Sequence, residues 1–544
     1  MKFLPFYLLL IVGSATAQTY SDHTKVSQRL KTIETANSQT TKLTSLAKTA
    51  GGKDIWLLEI GSGDRNNHPG IVVIGGVEGS HLLGTELAVG FAEKLMASAN
   101  TDSIKTLLAN TTFYVLPNVS PDATEQYFAK VKYERSANAT ATDDDRDGKL
   151  NEDPFEDLNN DGQITWIRIE DQTGKWKEHP ADPRVMVMAN AEKGESGKYN
   201  LVQEGTDNDK DGKFNEDGEG GVHFNKSLTF DPPHFTPGAG EHPVSEIENR
   251  AVLDYLYERF NVFAVVTFGP TNNLSEPWKF DKTKNAGRIP GAITEPDAKQ
   301  NKFASDIYKK AVTLKDAPAA GPQKGDFSQW AYFHYGRQSF STPGWWVPKF
   351  EVPKDTVAAK KFKANDDKNT DIDFVRWADK EKVEVFVNWQ KISYPDYPNM
   401  NAEVGGFKPF VKTNPPFSYV DKLATEHTKF LVAIAAKRPQ IELLNLKTEP
   451  LDGGVTRVTV TVQNPGLFPA VTDIGKNNNW IKLVKLTLNT TGDQSIVGGK
   501  KVTLFPNVEA GESKTVSWLV KGKGKVTIEA GAPQTGIKTL NANL

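Results

Sequence analysis

Short apolar runs alternate with helical patterns along most of the chain. The runs "DIWLLEIG" (54–61), "GIVVIGG" (70–76), "TTFYVLPN" (111–118) and "NVFAVVTFG" (261–269) are β-branched or aromatic and end in turn residues, so each reads as a strand. Between them Leu83, Leu87, Phe91 and Leu95 recur at helical spacing and make one apolar face. Ser245 and Glu248 stand as a capping box ahead of "NRAVLDYLYERF". The segment "YVDKLATEHTKFLVAIAAK" (419–437) is a last long helix, stopped at Pro439. Strands that are apolar nearly throughout have both faces covered. Residues 18–438 therefore predict an α/β domain, a mixed twisted sheet with helices on both faces.

From 439 to 544 the pattern becomes strict alternation. "TRVTVTVQNPG", "WIKLVKLTL", "KTVSWLV" and "GKVTIEAG" are separated by Gly, Asn and Pro turns and predict a small C-terminal β-sandwich. Nothing in it has a catalytic pattern. At the other end, Lys2, the apolar run Leu8–Val12 and Ala15-Thr16-Ala17 follow the order of a secretory leader over 1–17. The mature chain is then expected to start near Gln18, outside the cytoplasm, secreted or periplasmic. The apolar run is too short to span a bilayer, and no later stretch is long enough either, so no membrane span is expected.

Composition narrows the classes further. A length of 544 residues exceeds one ordinary core, in line with two domains. The 65 basic and 68 acidic residues nearly cancel, which gives no case for a nucleic-acid partner. There is no Cys, so an exported chain must rely on packing or bound ions rather than disulfides.

An insertion at about 140–220 carries three related acidic stretches, "DDDRDGKLNED", "DLNNDGQIT" and "DNDKDGKFNED". Each spaces oxygen side chains two apart ahead of a Gly: Asp143, Asp145 and Asp147; Asp157, Asn159 and Asp161; Asp207, Asp209 and Asp211. Alternate oxygens in a tight loop converge on one hard cation, and the Gly allows the sharp turn, so calcium is expected. Leu150, Ile164 and Phe214 are expected to anchor the loops to the core. These are not EF-hands, since the closing Glu is replaced by Pro154, Arg168 and Gly218. Acids in 151–153 and 215–217 are expected to complete the first and third loops. The plain alternative is a solvated acidic surface.

The remaining chemistry gathers around "GGVEGSHLLGTE" (75–86), where Glu78 and His81 sit three apart between a strand and a helix. Taken alone this is a metal-holding turn or a turn with no chemistry. Its surroundings are more specific: "LPNVSPDATEQY", a basic residue at Arg135, "NK" at 225–226 and "AEVGGFKPF" at 402–410. Together they resemble the zinc carboxypeptidase family (metallocarboxypeptidases), over most of residues 20–437. The resemblance implies a zinc held by His, Glu and a second His, a Glu general base, an Arg that polarises the scissile carbonyl, and an Asn-Arg pair that grips the substrate carboxylate.

Residue by residue, the resemblance maps onto this chain incompletely. The family's His-x-x-Glu is exchanged here, as Glu78 and His81. The second His falls on Gly269, which has no side chain to offer. Arg135 matches the carbonyl-polarising Arg, Asn225 and Lys226 the carboxylate grip, and Glu403 the general base. Lys226 brings charge without the planar fork of Arg. His223 is a candidate for the missing imidazole. With two protein ligands, zinc is expected to bind weakly. One reading is a cleft that binds a peptide or cell-wall peptide with a degraded zinc site and weak or no turnover. The alternative is an active metallocarboxypeptidase or peptide amidase that uses a rearranged Glu78/His81 site with Glu403 as base.

Overall fold

Six strands, numbered here along the chain, make the central sheet: β1 (Thr41–Lys48), β2 (Asp54–Ile60), β3 (Gly70–Ile74), β4 (Thr112–Leu116), β5 (Val262–Phe268) and β6 (Gln338–Thr342). The computed structural model describes residues 19–544 apart from 144–147, 152, 209, 211, 216–219, 355, 361, 363–364, 366 and 479. The leader reading and the start at Gln18 lie outside the described residues. The strand order is β1-β2-β4-β3-β5-β6. The pairs β1/β2 and β2/β4 are antiparallel, and β4/β3, β3/β5 and β5/β6 are parallel, so the sheet is mixed.

Every residue of β3, β4 and β5 is buried. Side chains alternate across a strand. Ile71, Val73, Phe113 and Val115 enter one core, while Val72, Ile74, Tyr114 and Leu116 enter another on the opposite face. This two-sided burial is why the strands read as continuous apolar runs. Helix Leu82–Ala97 is buried well beyond its predicted face, Gly84, Thr85 and Glu86 included. Helices His23–Ala36 and Val420–Ala435 pack against its outer side.

The expected capping box does not form. Helix Ile247–Tyr257 has Glu246 at its N-cap, without a side-chain cap bond. Glu248 instead accepts from the buried Asn138 Nδ2 at 2.7 Å, and Ser245 Oγ donates to Glu246 at 2.9 Å. Both cap partners are drawn elsewhere, Glu248 by a buried amide that needs an acceptor.

The insertion is more than loops. Strands Trp166–Glu170, Trp176–His179, Asp182–Met188 and Tyr199–Gln203 join Phe386–Ile392 and Ala402–Phe407 in a second six-stranded sheet. Every pair in it is antiparallel. Two four-stranded sheets follow from residue 442 and enclose Val458, Val460, Leu486, Trp518 and Ile528, the β-sandwich of the sequence pattern.

The two parts meet through apolar and polar contacts: the buried Phe468 of the sandwich packs among Phe263, Phe303 and Phe340 of the α/β part. The Asp297 carboxylate accepts from the backbone N–H groups of Asp473 (2.8 Å) and Ile474 (3.0 Å) and from Tyr332 Oη (2.8 Å). Thr472 Oγ1 donates to Gly336 O at 2.7 Å. At the far end of the α/β part, Tyr20 is 5 % exposed and donates to Pro415 O at 2.6 Å, between the rings of Tyr127 and Phe417. No helix among the described residues is long and apolar enough to cross a membrane.

Candidate functional site at the ends of the parallel strands

Ligands of open α/β sheets bind outside the carboxyl ends of the strands. Glu78 and His81 follow β3, Gly269 follows β5 and Pro343 follows β6, so these residues gather at that edge. Gly269 N donates to Thr342 O at 3.0 Å, which ties the two strand ends together.

His81 precedes helix Leu82–Ala97 and is 4 % exposed. Its Nε2 lies 2.9 Å from Pro343 O. A carbonyl has no hydrogen to give, so Nε2 carries the hydrogen and donates it. The lone pair is then on Nδ1, which has no hydrogen-bond partner among the described residues. Burial pushes the imidazole pKa down to about 4, so the ring is neutral at pH 7. Nδ1 faces backbone: a methyl at Gly84 would stand 3.0 Å from Nδ1 and 2.7 Å from Phe268 O.

Glu78 faces a different neighbourhood. Burial raises its carboxyl pKa, opposed by Ser136, while Glu134 raises it further and Lys226 lowers it. Lys226 Nζ donates to Pro237 O at 2.5 Å. Asn225 is buried, and its Oδ1 accepts from Phe327 N at 2.9 Å. Arg135 donates from Nε to Ala137 O (3.1 Å) and from Nη2 to Asn138 O (2.6 Å), bonds within its own loop. Glu78 and Lys226 are thus brought together.

Glu403 and His223 meet other partners. Glu403 lies on strand Ala402–Phe407 of the second sheet, its Oε2 2.7 Å from both Nε and Nη2 of Arg168. The Arg168 guanidinium sits between the rings of Tyr199 and Trp389 and also reaches Glu178 at 3.0 Å. The His223 ring lies against Gly238, where a methyl would stand 2.5 Å from its Cδ2. Burial, with Lys226 adding to it, lowers the His223 pKa to about 4.

Asn414 is a site residue that sequence reasoning missed. Its Nδ2 donates to Ser80 O at 2.8 Å and its Oδ1 accepts from Leu83 N at 3.0 Å. It therefore braces the Glu78–His81 turn and caps the helix, which His81 does not. The "NPP" at 414–416 was the available signal, a turn opened by a capping-type residue.

Residues 26–346, more than half of the chain, match the family model described as zinc carboxypeptidase. The chain belongs to the zinc carboxypeptidase family. Residues 440–543 match a model described only as a domain of unknown function. Carboxypeptidase D of Anas platyrhynchos is 30 % identical over 124 residues, covering 22 % of this chain and 9 % of that protein. Carboxypeptidase M of Mus musculus is 27 % identical over 122 residues, covering 22 % and 28 %. The matches thus span less than a third of either relative. Among solved structures, carboxypeptidase A from Helicoverpa armigera aligns with a TM-score of 0.41 at 11 % identity, over 77 % of this chain and 74 % of that one.

The zinc of this zinc carboxypeptidase family member finds a poor donor set. Position 269 has no side chain, and a methyl there would stand 2.6 Å from Val77 Cγ2, in a residue 1 % exposed. His81 gives its Nε2 hydrogen to a carbonyl and turns Nδ1 into backbone. Among the described residues no three His, Cys, Asp or Glu side chains are gathered to hold a metal ion. These residues do not fit a three-ligand zinc site.

The described parts of the three acidic loops share one hydrogen bond. Asp143, Asp157 and Asp207 each accept, through Oδ2, from the N–H of the Gly five residues on, at 3.0, 2.8 and 3.0 Å. Gly148, Gly162 and Gly212 all have positive φ (95°, 79° and 91°), which non-glycine residues avoid. Asn159 Oδ1 and Asp157 Oδ1 both accept from Asp161 N. Asp145, Asp147, Asp209 and Asp211 lie outside the described residues. Ile164 is buried and Phe214 packs on Tyr394 and Tyr397. Leu150, expected as an anchor, is 55 % exposed. The chain after it is held instead by the buried Asp153, which accepts from Asn208 N and Asn215 N and so joins the first loop to the third.

Proposed function

We propose that this chain is an exported, peptide-binding member of the zinc carboxypeptidase family, whose cleft holds a peptide or cell-wall peptide with weak or absent hydrolysis. The observation that carries this reading is position 269, where Gly supplies no ligand and Val77 occupies the space a side chain needs. Asn225, Lys226 and Arg135 are the groups proposed to meet the peptide. The test is zinc per chain by elemental analysis after dialysis at neutral pH, with release of C-terminal residues from a peptide. Wild type is expected to hold far less than one zinc and to release little. Adding Glu78→His, His81→Glu and Gly269→His should raise zinc only when Val77→Ala opens room. Near one zinc per wild-type chain, lost on Glu78→Ala or His81→Ala, would move the reading to a hydrolase with Glu403 as general base.

We also propose calcium in the acidic loops. The support is the threefold repeat of one Asp–Gly bond with oxygen-bearing residues at alternate positions. A ligand bound only by the folded state stabilises it by mass action. Excess chelator should therefore lower the melting temperature, and Asp157→Ala or Asp207→Ala should shrink that drop. A melting curve indifferent to chelator would leave the loops as acidic turns.

A further inference from the structure

Arg337 lies where the α/β part meets the sandwich, one residue ahead of β6, and is 2 % exposed. Its Nη2 donates to Trp480 O across the junction at 2.7 Å. Its Nε and Nη1 are buried without a hydrogen-bond partner among the described residues. The guanidinium rests on the Tyr335 ring, 4.3 Å from its centroid. Trp330 stacks on the same Tyr335, and Trp480 packs on Tyr257.

A guanidinium stays charged in a protein. Burying an unpaired ion costs far more than one cation–π contact returns. A second cation lies close by. Tyr335 Oη donates to Arg259 O at 2.7 Å, and both Arg259 and Arg337 hold the Tyr335 phenol down against the upward push of burial. Arg259 Nε is likewise buried without a partner, its guanidinium over Tyr255 at 4.1 Å. Two acids neighbour it: Glu258, exposed and 3.9 Å away, and Glu59, which accepts from Tyr255 Oη and acts on Arg259 through its charge. Two arginines thus leave N–H groups inside an aromatic wall, and among the described residues no carboxylate receives those of Arg337.

We propose that this junction is a binding site for a small monovalent anion of chloride size, which accepts from Arg337 Nε and Nη1 within the field of Arg259. A spherical anion suits two adjacent donors. A phosphate has more acceptor oxygens than the two unpartnered donors of Arg337 satisfy. The anion stabilises the seam between the two parts and is independent of any role for Glu78 or His81.

The test is thermal melting of the full chain while chloride replaces gluconate at constant ionic strength. The melting temperature is expected to rise by roughly 2–4 °C between about 1 and 300 mM chloride and then level, as site binding requires. Arg337→Met, neutral and similar in length, should remove the dependence. Broadening of the ³⁵Cl resonance by wild-type protein, relieved by bromide, is a second readout that does not need the variant to fold. A melting temperature indifferent to chloride, the same dependence in Arg337→Met, or no ³⁵Cl broadening would overturn the proposal and leave a buried water beside Arg337.

Discussion

At the scale of single residues, His81 is a buried imidazole that donates its Nε2 hydrogen to a carbonyl. Its Nε2 hydrogen is spent on Pro343 O, and its buried ring prefers to stay neutral. The folded-state pKa of about 4 lies below the ordinary 6.5, so the unfolded chain takes up the proton first. Stability tied to His81 is therefore complete above pH 6.5 and lost as pH falls from there towards 4. His81→Gln keeps a donor for Pro343 without titrating. Between pH 7 and pH 4 wild type should lose about 3 kcal/mol relative to that variant, read by urea unfolding at each pH. An equal loss in both would mean that the ring is not buried as described.

Secondary elements were the most legible part of the sequence, because burial on both faces writes itself as unbroken apolar runs. The four strand runs named from the pattern are β2 to β5, within two residues at their ends. What the pattern hid was set by partners distant in sequence. Of the insertion strands, Trp166–Glu170 pairs with Ala402–Phe407, a partner more than two hundred residues away that no local period reveals. Glu248 left its capping box for Asn138, and Glu403 joined Arg168, for the same reason. The residues Glu78, His81 and Gly269 are plain in the sequence, whereas what surrounds them, Val77 and Pro343, is not. Asn414 is the element-scale counterpart of these surroundings, since one amide serves both the turn and the helix start. Asn414→Ala should cost about 1–2 kcal/mol and speed hydrogen exchange at Leu83 ahead of the rest of helix Leu82–Ala97. Unchanged exchange at Leu83 would remove Asn414 from that role.

Across the whole molecule, the seam between the two parts joins the buried Phe468 cluster to a polar knot at Asp297. Its carboxylate receives two backbone N–H groups of the sandwich and one hydroxyl of its own part. Asp297→Ala would leave all three donors buried without acceptors, at about 2–4 kcal/mol. Calorimetry should then resolve two transitions where wild type shows closer coupling, and a single unshifted transition would count against the seam. A different connection spans the α/β part itself. Tyr20 near its start is seated by Tyr127, Pro415 and Phe417, the last two near its end. Synthesis runs from the N-terminus, so the seat does not exist until nearly four hundred further residues have emerged. Through that interval helix His23–Ala36 and β1 lack the lock at their head. Tyr20 is made long before the residues that seat it.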